Sequence, residues 1–401
     1  MKSLSNTIVF ALTILILITS SCNDSDKEQA GTILSGDWQL VITEGVPFAA
    51  EHHYFLSFRD NKIYSMHDRY GIGIVDCYQQ PYTIKSGSIQ FTHQSVDQNI
   101  KFSINTQRDT LKLYHNHKTY QFIHATDKCQ YDQHIMNRNR YDLGQIQSKQ
   151  IDEASGMIVS KKNPGVIWTH NDSGSEDRIF AIDYRGNTLL EVWLENVDLV
   201  DCEDISIMDI NGEPYILLAD IGDNNAVRDD ICIYLIPEVA VDTTKDNQSI
   251  SLTNITRIPV QLGSARRDAE TLVTLPDNNI MIISKREKNV HVYRENLNNL
   301  VNGKLILEKI KELPYYNIVA GDFHEPSGLL LIKDYGNVYT MLVDNGVPNV
   351  YTAKSHDYIP EPQGEALSWD LYGTGYFTLS EKRNLASVSL YYYPYMPYWM
   401  Q

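Results

Sequence analysis

The sequence is short of basic residues, with 34 Lys and Arg against 51 Asp and Glu and a formal net charge of −17 over 401 residues. A chain with that balance lacks the basic face that a phosphate backbone requires, which excludes nucleic acid as a partner. Cysteine is scarce, at five, and neither Cys-x-x-Cys nor His-x-x-x-His spacing occurs, so the common zinc frameworks are absent. There is no Gly-x-Ser-x-Gly elbow to mark an α/β-hydrolase nucleophile; Asn171-Asp172-Ser173-Gly174 reads as a turn. Beyond residue 22 no run approaches the about 20 apolar residues that a membrane-spanning helix needs.

What is present is ordinary globular composition, 42% hydrophobic and 21% charged, in a chain long enough for two or three domains. The apolar run Ile8 to Ile18, about 11 residues, fits a signal peptide. Thr19-Ser20-Ser21 and then Cys22 follow it. This block resembles the lipobox of bacterial lipoproteins, with Thr19 standing where Leu or Val is usual. The resemblance implies acylation at Cys22, attachment to the outer membrane through that lipid, and exposure outside the cytoplasm; an ordinary cleaved signal peptide is the alternative. Residues 1–22 are thus the signal, and the acidic stretch 23–33 is a tether similar to the export tags of surface lipoproteins in the Bacteroidetes. The other four cysteines allow three disulfide pairings, of which we favour the local one, Cys77–Cys129 and Cys202–Cys232.

Residues 34–128 alternate polar and apolar positions in short runs such as Trp38-Gln39-Leu40-Val41-Ile42 and Thr110-Leu111-Lys112-Leu113-Tyr114, with turns such as Arg59-Asp60-Asn61 between them. Period-two strands at this spacing predict an antiparallel sheet that closes into a small barrel. The opening Gly36-Asp37-Trp38-Gln39-Leu40 resembles the start of lipocalin-like domains. Such a barrel either holds a small apolar ligand or is filled and serves as a spacer. Residues 129–140 read as a linker.

From Tyr141 to residue 401 a unit recurs, in which an acidic opening leads into an apolar strand, a turn and a second strand. The openings are Glu153-Ala154-Ser155-Gly156, Cys202-Glu203-Asp204, Asp268-Ala269-Glu270, Gly321-Asp322 and Gln363-Gly364-Glu365-Ala366, about 43 to 67 residues apart. That period predicts a β-propeller. Five openings plus a blade assembled from the chain ends give six, with five and seven as the alternatives, and with Leu390-Tyr391-Tyr392-Tyr393 closing the ring beside Tyr141. The fold class is therefore all-β, a small barrel followed by a six-bladed propeller. These motifs, with Trp168-Thr169-His170-Asn171-Asp172-Ser173-Gly174 and Asp220-Ile221-Gly222-Asp223-Asn224, resemble secreted bacterial propellers of the phytase-like or esterase-like type. Cys202 departs from that pattern, which has Trp there.

Repeat-equivalent residues meet around a propeller's axis. Glu153, Glu203, Asp204, Asp268, Glu270, Asp322 and Glu365 are expected at one channel end, with Asn171, Asp172, Asp220, Asp223, Asn224, Asp334 and Glu381 nearby. Crowded carboxylates need compensation, either from bases such as Arg178, Arg228, Lys333, Lys382 and Arg383 or from Ca²⁺, which takes six to eight oxygen ligands. Asp220, Asp223, Asn224, Glu203 and Asp268 are the candidate metal ligands, with Gly222 permitting a tight turn. Asn171, Asp172, Glu203, Asp204, Glu270 and Glu365 are the candidate binding residues. Two functions follow: a propeller that binds a small molecule, glycan or protein partner, or a calcium-dependent hydrolase of phosphoesters or esters in which Lys285, Arg286 and Arg267 hold the substrate's oxygens.

Overall fold

The computed structural model describes residues 34–43, 46–47, 52–69, 74–93, 96–115, 117–124, 140–174, 176–383 and 385–395. Cys22, the tether, Cys129 and nearly all of the linker lie outside the described residues.

The first domain is one antiparallel sheet built mostly by pairing of successive strands, and the last, Lys118–His124, returns to pair with the first, Gly36–Thr43. The two ends of the path, Ile74–Pro81 and Thr83–Lys85, are separated in the chain only by Tyr82, so the sheet closes on itself as a barrel. Alternation decides what goes inside, because successive side chains point to opposite faces. Trp38, Tyr54, Leu56, Ile100, Leu111 and Phe122 belong to one buried cluster. Trp38 is fully buried, its indole N–H donates to the Leu34 carbonyl at 2.9 Å, and its ring stacks on His124 at 3.9 Å.

The second domain has five blades among the described residues. Their innermost strands are Ala154–Val159, Cys202–Ile210, Ala269–Leu275, Ala320–His324 and Ala366–Trp369. Each packs against the next, and the fifth against the first, which closes the ring. Blade 5 consists of Ala366–Trp369, Gly375–Leu379, Ser389–Pro394 and, at its outer edge, Tyr141–Gln145. Tyr141 lies opposite Tyr392 there. The ends of the domain do meet, but they complete the fifth blade; the expected sixth is corrected to five. The long repeat spacing has another cause. Gln248–Leu252 adds a parallel strand to the outer edge of blade 1. The outer strands of blades 2 and 3, Thr256–Leu262 and Lys304–Leu313, pair in parallel and fuse those blades into one nine-stranded sheet.

Inner strands are buried on both faces, as Ala154–Val159 is along its whole length, because each is sandwiched between two neighbouring blades. The apolar cores accordingly lie between blades. Ile158, Trp168 and Val192 of blade 1 meet Ile205, Leu218 and Ile236 of blade 2. Phe180 and Ile182 of blade 1 meet Phe377 and Leu390 of blade 5.

Polar side chains join the inner strands to one another. Asp204 accepts from its own neighbour's amide, Ile205, at 2.8 Å and from Leu272 of blade 3 at 2.8 Å. Asp322 of blade 4 does the same, accepting from the amides of Phe323 at 2.7 Å and Trp369 of blade 5 at 2.9 Å. Both acids are therefore mortar between blades, which corrects the expectation that they face the channel mouth. The Cys202–Cys232 disulfide is also corrected. Both residues are free and buried, and they flank Asp220 from the two strands on either side of it. Two strand spacings separate them by about 10 Å, beyond the reach of a disulfide.

Candidate functional site: an acidic channel mouth

The ring brings the first residues of the inner strands to one end of the axis. Three of those strands begin with a register shift against their neighbour, at Ala154/Gly156, Cys202/Asp204 and Ala269/Thr271. The extra residues are Ser155, Glu203 and Glu270. A bulge re-aims the side chain it carries, and two of the three aim a carboxylate.

The result is three overlapping sets of carboxylate oxygens, each set within 4.8 Å of one another: Asp172 with Asp201 and Glu203; Asp172 with Glu365 and Glu381; and Glu203 with Asp268 and Glu270. Two oxygens bound to one Ca²⁺ lie no farther apart than about 4.8 Å, twice a typical Ca–O distance. Glu203, Glu270, Glu365 and Glu381 are buried, and Asp172 and Asp201 are half-buried. Gly222 makes the crowding possible through its missing side chain: a Cβ there would meet Glu203 Oε1 and lie 2.5 Å from Asp201 Cγ. Its role is room rather than a special turn.

Cationic compensation is local and incomplete. Lys285 pairs with Glu270 and lies 3.8 Å from Glu365. Tyr335 donates to Glu365 Oε1 at 2.5 Å, while the buried Glu365 Oε2 has no hydrogen-bond partner. Gln363 bridges Glu365 and Glu381, and Arg383 pairs with Glu381 at 2.8 Å. Arg286 pairs with Asp268 at 2.5 Å, and Arg267 with Glu287 at 2.5 Å. Among the described residues Asp172, Asp201 and Glu203 form no ion pair, and Arg228 and Lys285 act on Asp201 and Glu203 only at longer range.

Burial is the first cause of strain in this cluster, and like charge the second. Burial pushes the Asp172 carboxyl up to about 6, with Glu365, Asp201 and Glu153 adding to the shift. It pushes Glu381 up to about 7, with Glu365 adding. Burial, then Glu270, Asp172 and Asp201, hold Glu203 well above the usual carboxylate range, and Asp201 is raised chiefly by burial. Glu270 is raised by burial even beside Lys285.

The structure thus gathers Asp172, Glu203, Asp268, Glu270, Glu365 and Glu381 and adds Asp201, which lay one residue before a recognised motif. It employs other candidates elsewhere. Both oxygens of Asp223 accept backbone amides, from Val227 at 2.7 Å and Arg228 at 2.9 Å. Asp220 accepts from the Asp201 amide at 3.0 Å and pairs with Arg228 at 2.8 Å. Asn224 accepts from Arg286. The loop 220–224 is therefore a brace for the site, not a ligand set. Asn171 donates to the Gln150 carbonyl at 2.6 Å and clasps the segment before blade 1. Asp334 caps its own turn, accepting from Gly336 and Asn337 at 2.7 Å. His170 is fully buried and bonded to the Asn171 carbonyl at 2.8 Å; burial lowers its pKa to about 4. Sequence reasoning missed Tyr335 and Tyr358. Under the mouth, the fully buried Lys333 donates to the Tyr358 hydroxyl at 3.0 Å and to the Gly364 carbonyl, and burial lowers its pKa to about 8.

No protein-family model matches this chain, and no curated protein does. Among solved structures, a catalytically inactive virginiamycin B lyase from Staphylococcus aureus with quinupristin is similar at 11% identity and a TM-score of 0.33, over 90% of this chain and 96% of that one. A PQQ-bound aldose sugar dehydrogenase from Streptomyces coelicolor is similar at 8% identity and a TM-score of 0.35, over 63% of this chain and 97% of that one. At these scores the likeness carries no argument about chemistry, and the propeller assignment rests on the strand order itself.

The raised carboxyls set a pH dependence. Where a folded-state pKa exceeds the unfolded value, the folded protein holds protons that the unfolded chain releases. Stability is then fullest below the ordinary carboxylate range, about 4, and is lost as pH rises through the folded values, about 6 for Asp172 and about 7 for Glu381. Asp201→Asn removes one of the crowded charges. In chelator, its melting temperature should exceed the wild type's, by more at about pH 8 than at about pH 5. A lower or pH-independent difference would mean that Asp201 is compensated.

Proposed function

We propose that the propeller is a cation-dependent binding module whose acidic mouth holds Ca²⁺ and presents it to an oxygen-rich ligand, either a glycan, a carboxylate or a phosphoester. The observation that carries this reading is the convergence of Asp172, Asp201 and Glu203, whose oxygens lie within 4.8 Å of one another while the nearby bases Arg228 and Lys285 pair with Asp220 and Glu270. Hard oxygen donors are the right chemistry for Ca²⁺, and the unpartnered Glu365 Oε2 beside them adds a further donor. Bound there, the cation would neutralise the shared charge and offer its remaining coordination positions to the ligand.

The hydrolase reading needs free cationic groups to hold a phosphoester's oxygens. Lys285, Arg286 and Arg267 are each engaged by a carboxylate of this protein, which favours binding over turnover. Calcium should raise the melting temperature of residues 23–401 after chelator treatment, and Asp172→Asn or Glu203→Gln should weaken that effect at least about tenfold in calcium concentration. A phosphoester panel should release no phosphate. Calcium-dependent release that vanishes in Lys285→Met would establish the hydrolase instead, and no effect of calcium on the melt would remove the cation.

The block ending at Cys22 supports a further part of this proposal, that the protein is exported and held at the outer membrane by lipid, with the barrel between anchor and propeller. Growth with a labelled fatty acid should mark the wild type and not Cys22→Ser, which should leave the membrane fraction. Label retained in Cys22→Ser would refute the anchor.

A further inference from the structure

The parallel join between blades 2 and 3 leaves a hollow beside the outer strands. Thr256–Leu262 and Lys304–Leu313 run side by side there, with Val260 opposite Leu305. Lys304 thus stands at the start of its strand, near the loop that carries the chain from Leu262 into blade 3. These segments and the loop before Cys232–Pro237 enclose a cavity of about 540 Å³, within the roughly 300–1,000 Å³ of small-molecule sites. Ile231, Val260 and Leu262 supply apolar parts of its wall. The cavity borders the mouth without belonging to it, since the amide of its lining residue Asp223 donates to Asp268 at 2.9 Å.

Its charge runs against that of the chain. The protein carries a net −17, yet Arg228, Arg266, Arg267 and Lys304 line this cavity against two carboxylates, Asp223 and Asp229. Two of the four bases are held by acids outside the lining. Arg228 pairs with Asp220 and Asp230 at 2.8 and 3.0 Å, and Arg267 with Glu287 at 2.5 Å. The other two are available. Lys304 is half-buried, and among the described residues its ammonium has no hydrogen bond or ion pair. Arg266 turns Nε and Nη2 onto one oxygen of Asp229, at 2.8 and 2.5 Å. The Asp229 side chain is 79% exposed, and a pair that open to water is weak and easily exchanged. Asp223 is the opposing charge that stays, within range of Arg266. Both its oxygens already accept amides, from Val227 and Arg228.

We infer that this cavity is a second binding site, for a small molecule whose carboxylate or phosphate group sits between Lys304 and Arg266. A planar guanidinium takes two oxygens of such a group side by side, and an ammonium adds a point charge. The incoming anion replaces Asp229, which turns out to solvent. An organic cation would be repelled by the same two bases, and a neutral molecule would leave the Lys304 charge unanswered. The cavity is larger than a bare phosphate, so the anionic group carries a compact body that rests on Ile231, Val260 and Leu262. No calcium is needed, which makes this inference independent of the one for the mouth.

The test uses the full mature chain in chelator and low salt, with benzoate, phenyl phosphate, benzyl alcohol and benzylammonium as probes, followed by saturation-transfer NMR. At least one of the two anions should bind saturably, and about tenfold or more tightly than the alcohol or the ammonium. Lys304→Gln and Arg266→Gln should each weaken that binding about tenfold, the size of one charged hydrogen bond. Lys149→Gln, at an exposed position outside the cavity, changes the net charge equally and should have no effect. Asp229→Asn should tighten the anion several-fold by freeing Arg266, a gain that a folding defect does not mimic. The inference is overturned if neither anion binds, if the alcohol or the ammonium binds as tightly, or if Lys304→Gln and Arg266→Gln weaken binding no more than Lys149→Gln.

Discussion

Repulsion among carboxylates at one end of the propeller is the constraint around which the rest of the domain is arranged. Ring closure makes it unavoidable, because blades 1, 2, 3 and 5 each carry a carboxylate to the same end of the axis. Unrelieved, that crowding opposes folding, since burial and like charge both disfavour ionisation. The surroundings relieve part of it. Lys285 answers Glu270, Arg383 answers Glu381, and Arg286 answers Asp268. The Asp220–Asn224 loop ties Arg228 and backbone amides into a brace behind Asp201, and Gly222 leaves room for the acids to approach. Asp172, Asp201 and Glu203 are left without a direct ion pair among the described residues, a set small enough for one cation.

The two channel ends divide the polar chemistry between them. The bulged starts of the inner strands aim Glu203 and Glu270 at the mouth, while one residue further on Asp204 reaches sideways to the next blade. The ring is thus held by carboxylates whose oxygens are saturated, whereas at its mouth Glu365 keeps an oxygen that is not. At the far end Asp322 and Asp370 are again engaged by amide and hydroxyl donors.

Much of this was legible in the sequence because it repeats. The acidic openings marked the inner strands, and the tyrosine run near residue 392 marked the strand that meets Tyr141. Blade number was not legible, since the added strand Gln248–Leu252 and the hairpin built on Leu300–Val301 stretch the repeat without adding a blade. The separation of Glu203 from Asp204 was hidden too. Alternation sends adjacent residues in different directions, and the bulge that decides which one faces the mouth has no residue-type signature.

The central claim is that the mouth stays partly protonated until a cation replaces the protons. Calorimetric titration of calcium into chelator-stripped protein near neutral pH, in two buffers of different ionisation enthalpy, counts the protons released on binding. Saturable binding with net proton release, lost in Glu203→Gln, is the predicted result. Binding without proton release, or no binding at all, would show that these carboxylates are compensated from within the protein.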